Sequence, residues 1–137
     1  MIAAVTEYND ERQARFEGGM VLLNKVCEGR GQAFVDSLAD VSPELARHVA
    51  ERGFGEILAR PHLARRDWQL FTLGVLTGLG GTEDELRLHI NIALNVGVEP
   101  LEIVEALLQS AGYCGVRRAI DATKVAREIL AERNLEV

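Results

Sequence analysis

The stretch Leu70-Phe71-Thr72-Leu73-Gly74-Val75-Leu76-Thr77-Gly78-Leu79, closed by Gly80-Gly81, and its continuation from Thr82 through Leu86-Arg87-Leu88-His89-Ile90-Asn91-Ile92-Ala93-Leu94-Asn95-Val96-Gly97, decides the fold class. The first half is apolar nearly all round, the pattern of a central helix. In the second half, at about 100° per residue, Leu86, His89, Ile90 and Ala93 share one face while Arg87, Asn91 and Asn95 share another. Thr82 with Glu85 three residues on matches a capping box, and Gly97 suits a C-terminal cap.

Working outward, the spacing predicts helix after helix. Glu7 to about Val26 carries Phe16, Met20, Leu23 and Val26 or Cys27 at apolar spacing, and Gly29-Arg30-Gly31 ends it. A short helical piece covers about Gln32 to Leu38. Ser42-Pro43-Glu44 reads as a helix start, with a hydroxyl cap, a proline in the first turn and an acid near the positive end of the dipole. That helix runs towards Leu58, weakened by Gly53 and Gly55. The apolar helix covers Arg65 to Leu79. Pro100 opens a helix through about Tyr113, and Val116 to Arg133 forms the last. No stretch alternates polar and apolar residues long enough for a convincing strand. The expectation is an all-α antiparallel helical bundle in a single domain spanning residues 1–137.

The chain has 137 residues, 47% hydrophobic and 26% charged, a globular balance. A net charge of -6 argues against nucleic acid or an anionic membrane as a partner. Arg65-Arg66 and Arg117-Arg118 are local clusters suited to a small anion. Cys27 and Cys114 form no CxxC pair, and they and the scattered His48, His62 and His89 show no metal-ligand spacing. No membrane span and no signal pattern are visible, so a soluble cytoplasmic protein without metal is expected.

For chemistry, His89 stands out. A histidine inside an apolar stripe must either make a structural hydrogen bond or line a cavity, because an unpaired buried polar group is costly. Its near-neutral titration suits acid or base work. If its helix continues past Gly53, Glu56 lies on the arc of Leu45, Val49 and Gly53; it is otherwise a surface acid. Arg60, before Pro61, has a fork that fits a carboxylate or is simply exposed. His62 and Arg65 lie nearby. Trp68 and Cys114 read as packing residues or as pocket lining.

Several segments, taken in order, resemble the carboxymuconolactone decarboxylase family, within the alkyl hydroperoxidase D-like superfamily. They are Gly55-Glu56-Ile57-Leu58-Ala59-Arg60-Pro61, Leu70-Phe71-Thr72-Leu73, Leu76 to Gly80, Leu86 to Gly97, Glu102 to Gln109, Tyr113-Cys114-Gly115 and Val125-Ala126-Arg127-Glu128. Ala14 to Met20 is similar to the family's opening helix. The resemblance implies a cofactor-free enzyme working as a homo-oligomer, a trimer or hexamer with sites near subunit contacts. In the superfamily's redox branch, a CxxC-x-x-x-H motif would place its cysteines at Thr82 and Glu85, which form neither thiolate nor disulfide.

By resemblance, the chain is expected to decarboxylate a carboxymuconolactone-like lactone acid in aromatic catabolism. His89 would handle the proton, Glu56 would orient it or share the proton, and Arg60 would position a carboxylate. Trp68, Cys114, Tyr113, Phe54 and His62 would line the substrate pocket. Phe54 stands where the decarboxylases usually have tryptophan, Arg117 where they commonly have proline, and Trp68-Gln69 where many relatives carry arginine or glutamate. These departures remodel the expected site and favour an alternative, an isomerase or cyclase of a biosynthetic pathway; a non-catalytic assembly or binding subunit, with His89 in structural bonds, is a third reading.

Overall fold

The computed structural model describes residues 2–137, with side chains from residue 8 onward. Among them are seven α-helices, one π-helical segment and no strand. No described helix is long and apolar enough to cross a membrane. The chain divides into two compact units, Met1–His62 and Leu63–Val137, each with its own core.

In the first unit, α1 (Ile2–Val26) is followed by α2 (Gly31–Ala39) and α3 (Pro43–His48). Gly29, at φ +83°, makes the reversal after α1. Ser42 caps α3 as its sequence implies, its Oγ accepting from the Leu45 N–H at 3.3 Å. The expected helix towards Leu58 does form, but its second half, Val49–Ile57, is a π-helix. Its closing bond runs from Leu58 N–H to Gly53 O at 2.9 Å, five residues back. Gly53 and Gly55 weaken ordinary α geometry here. Gly55 also permits a close crossing with α1: a Cβ on it would lie 2.1 Å from the Arg15 carbonyl oxygen. A Cβ on Gly19 would lie 1.9 Å from the Ala50 oxygen. Leu23, Val26, Cys27, Val35, Ala46, Ala50 and Phe54 fill this unit's core.

The second unit comprises α4 (Arg65–Leu79), α5 (Glu83–Asn95), α6 (Pro100–Cys114) and α7 (Val116–Glu132). α4 packs on α5 and α6, and α7 packs on the same two helices. Leu73, Ile90, Ile103, Leu107 and Ile129 are fully enclosed in the core this creates. Each contributes about 1.5–3 kcal/mol of transfer free energy. Gly97, at φ +91°, ends α5, and Val98 N–H reaches back to Ala93 O at 2.9 Å.

Three local expectations need correction. Thr82 occupies the cap position of α5 but makes no capping bond. Its hydroxyl instead donates to Leu76 O at 2.8 Å, tying the loop to the end of α4. The capping box that does form is Glu99 with Glu102 at the start of α6, where Glu99 N–H donates to Glu102 Oε2 at 2.9 Å. Second, α4 is not enclosed all round: Gln69, Leu73 and Thr77 face inward, whereas Phe71 is 63% and Leu79 64% exposed. Third, most of the paired basic residues are engaged internally. Arg66 clasps Glu102 at 2.5 Å, Arg117 pairs with Asp121 at 3.0 Å, and Arg118 donates to the Gly78 carbonyl.

Candidate active site

Among the polar side chains on the inward faces of the second unit, His89 and Gln69 meet. His89 is half-buried on α5, on the stripe of Leu86, Ile90 and Ala93. Gln69 sits on the inward line of α4, four residues before Leu73, and is 3% exposed. His89 Nδ1 lies 2.9 Å from Gln69 Oε1. The amide oxygen is an acceptor, so this geometry puts the proton of a neutral imidazole on Nδ1 and leaves the lone pair on Nε2.

Burial pushes the His89 pKa down to about 4, against a smaller upward pull from the Glu85 charge. Gln69 explains why the descent is not checked further: an amide satisfies the ring N–H without adding the negative charge that would hold an imidazolium. His89 is therefore neutral at pH 7.

Gln69 carries no site role in the sequence reading, although a signal for it exists. A glutamine on the buried line of an apolar helix needs a partner, and so does a histidine in an apolar stripe. Two unexplained buried polar groups on neighbouring helices can satisfy each other.

The other residues belong to both units, some to each. Trp68, half-buried on α4, has an indole Nε1–H that is buried and lacks an acceptor. Tyr113 and Cys114 come together along a groove of about 420 Å³ that also involves Phe71 and Ser110 but not His89. Cys114 donates its S–H to Ser110 O at 3.0 Å, and Tyr113 is 87% exposed. No cationic side chain lines that groove; its polar groups are those of Gln109, Ser110, Tyr113 and Cys114. In the first unit, Phe54 is a core residue at 4% exposure. Glu56 is exposed and faces Arg52 across 3.7 Å. Arg60 and His62 are exposed in the turn after the π-helix. Both cysteines are free thiols, with Cys27 buried. Among the described residues, no group of three or more His, Cys, Asp or Glu side chains could hold a metal ion.

The described residues form a small all-helical protein in which the α5 histidine is held by a buried amide of α4. Residues 43–128 match the carboxymuconolactone decarboxylase family, and the chain belongs to that family. It is 30% identical over 125 residues to the 4-carboxymuconolactone decarboxylase of Acinetobacter baylyi, covering 90% of this chain and 91% of that one. It is 39% identical over 127 residues to the nitrosuccinic acid decarboxylase of Metarhizium robertsii, covering 89% and 86%.

Proposed function

We propose that this protein is a cofactor-independent decarboxylase of a small carboxylic acid whose carboxyl-bearing carbon adjoins an electron acceptor. The names of the two relatives support that class. A carboxymuconolactone can pass the electron pair through an alkene to a lactone carbonyl, and a nitrosuccinic acid can pass it to a nitro group. In both, the substrate is its own electron sink. A lactone acid of aromatic catabolism is the member that the sequence motifs favour, and a nitro acid the one the more identical relative favours.

The observation that carries the reading is the 2.9 Å contact between His89 Nδ1 and Gln69 Oε1. With no acid on Nδ1, the imidazole is uncharged until an anionic substrate arrives. The substrate's negative charge then favours imidazolium, and Nε2 takes up a proton from solvent. The bond from carbon to the carboxylate breaks, CO2 departs, and the electron pair moves into the acceptor group. Imidazolium Nε2–H then gives its proton to the carbanionic carbon and returns to the neutral ring. Charge balances at each stage.

The orphan indole N–H of Trp68 is a fitting donor for a substrate oxygen. The family match crosses the division between the two units, which supports one functional domain. The exposed Phe71, Val75 and Leu79 of α4 and Leu108 of α6 support association into a homo-oligomer.

Release of CO2 from such acids, without added metal or nucleotide, tests the proposal. His89→Gln, as a folded protein, should lose most of its turnover; unchanged turnover rejects the assignment. A second reading, an isomerase drawing a proton onto Nε2, is favoured by the same neutral lone pair. It predicts product formation without CO2.

A further inference from the structure

The first unit holds an ion cluster that the proton chemistry at His89 leaves unused. Glu51, on the first turn of the π-helix, is 5% exposed. Arg12 grips both of its oxygens, with Nε at 3.0 Å from Oε1 and 3.2 Å from Oε2, and Nη2 at 3.1 Å from Oε2. Two further guanidinium groups stand against the same carboxylate. Arg47 Nε lies 3.4 Å from Oε2 and Arg15 Nη2 lies 3.9 Å from Oε1. Neither contact is a hydrogen bond.

One arginine suffices to neutralise a buried carboxylate. Three surround this one, and the other acids near them, Glu11 at 3.7 Å from Arg15 and Glu44, are exposed to solvent and screened. Arg47 is held in place over the Phe16 ring, 4.8 Å from its centroid, and donates to Gln13 Oε1 at 3.2 Å. Arg15 Nε is buried and has no acceptor. A buried donor left unpaired carries its full desolvation cost. Two cations in excess of one buried anion, with a donor lacking an acceptor, are what a compact oxyanion would resolve.

We infer that Arg15 and Arg47 form a binding site for a small oxyanion of charge near −2, a dicarboxylate or a phosphate, with the Arg12–Glu51 pair as its fixed wall. The guanidinium fork suits both chemistries. The site stands independently of the decarboxylase reading.

Isothermal titration calorimetry and thermal melts of the full chain test it, using succinate and inorganic phosphate at pH 7 with ionic strength held constant by sodium chloride. Saturable binding is expected for at least one of them, and the tighter identifies the class. Arg15→Gln should weaken it by about tenfold or more, whereas Arg117→Gln, on α7, should leave it unchanged. Should Arg15→Gln fail to fold, Arg47→Gln must show the same loss. The inference is overturned if neither anion acts beyond matched chloride, or if the folded arginine variant binds as tightly as the parent.

Discussion

His89 Nδ1 and Gln69 Oε1 lie 2.9 Å apart, joining the only imidazole on α5 to a buried amide on α4. A carboxylate at position 69 would favour imidazolium; the amide does not. In NMR titration the His89 ring should therefore stay neutral until the pH approaches about 4. In Gln69→Glu the new charge should raise that pKa by about 1–3 units. An unmoved midpoint would show that the contact does not govern the ring.

The same depressed pKa predicts an acid-linked loss of stability. An unfolded histidine takes up a proton near pH 6.5, but folded His89 does so only near about 4. As pH falls through that window the unfolded chain binds the extra proton, so folding weakens. The full effect is on the order of 3 kcal/mol below the folded pKa. Denaturant melts of the parent and His89→Asn should diverge in the parent's disfavour between pH 6.5 and 4. Parallel curves would count against a neutral, buried ring.

Glu51 has the opposite sign. The hydrogen bonds from Arg12 hold its carboxyl below the usual range, against the upward push of burial. Its contribution is present above the unfolded value of 4.5 and is lost as pH falls through the lower folded value. Glu51→Gln removes the carboxylate and leaves three arginines facing one another, at a cost of about 2–4 kcal/mol in a chemical melt at pH 7. A cost under half a kilocalorie would mean the cluster is solvated.

The glycines of α1 separate packing from propensity. Gly19→Ala would place its Cβ 1.9 Å from the Ala50 oxygen, and backbone must move. A loss of about 2–4 kcal/mol is expected. At Gly18 nothing lies within 4 Å of the added carbon. There Gly18→Ala should stabilise by about 0.5–1 kcal/mol through helix propensity alone. Equal effects at the two neighbours would refute the close crossing.

Capping offers a further contrast. Glu85→Ala should leave thermal stability within about 0.5 kcal/mol, because no capping box forms at Thr82. Glu102→Ala removes both the box with Glu99 and the clasp on Arg66. It should lower the midpoint of a thermal melt clearly more than Glu85→Ala does. A larger loss at position 85 would reverse the assignment.

The sequence by itself determined the helices, because apolar periodicity and punctuation by glycine and proline are local properties of the chain. Arg65–Leu79 begins and ends where its pattern does, and Ser42 caps as a hydroxyl before proline should. His89 was legible too, as a polar residue on an apolar face. Tertiary structure alone decided what such residues meet. Thr82 could cap its own helix or reach Leu76, and packing of the loop chose the latter. Gln69 found His89 twenty residues away, and Glu51 gathered arginines from α1 and α3. The widening of Val49–Ile57 into a π-helix likewise belongs to its contact with α1, where two glycines let backbone meet backbone. Partners chosen across elements depend on where helices cross, and periodicity within one helix carries no information about that.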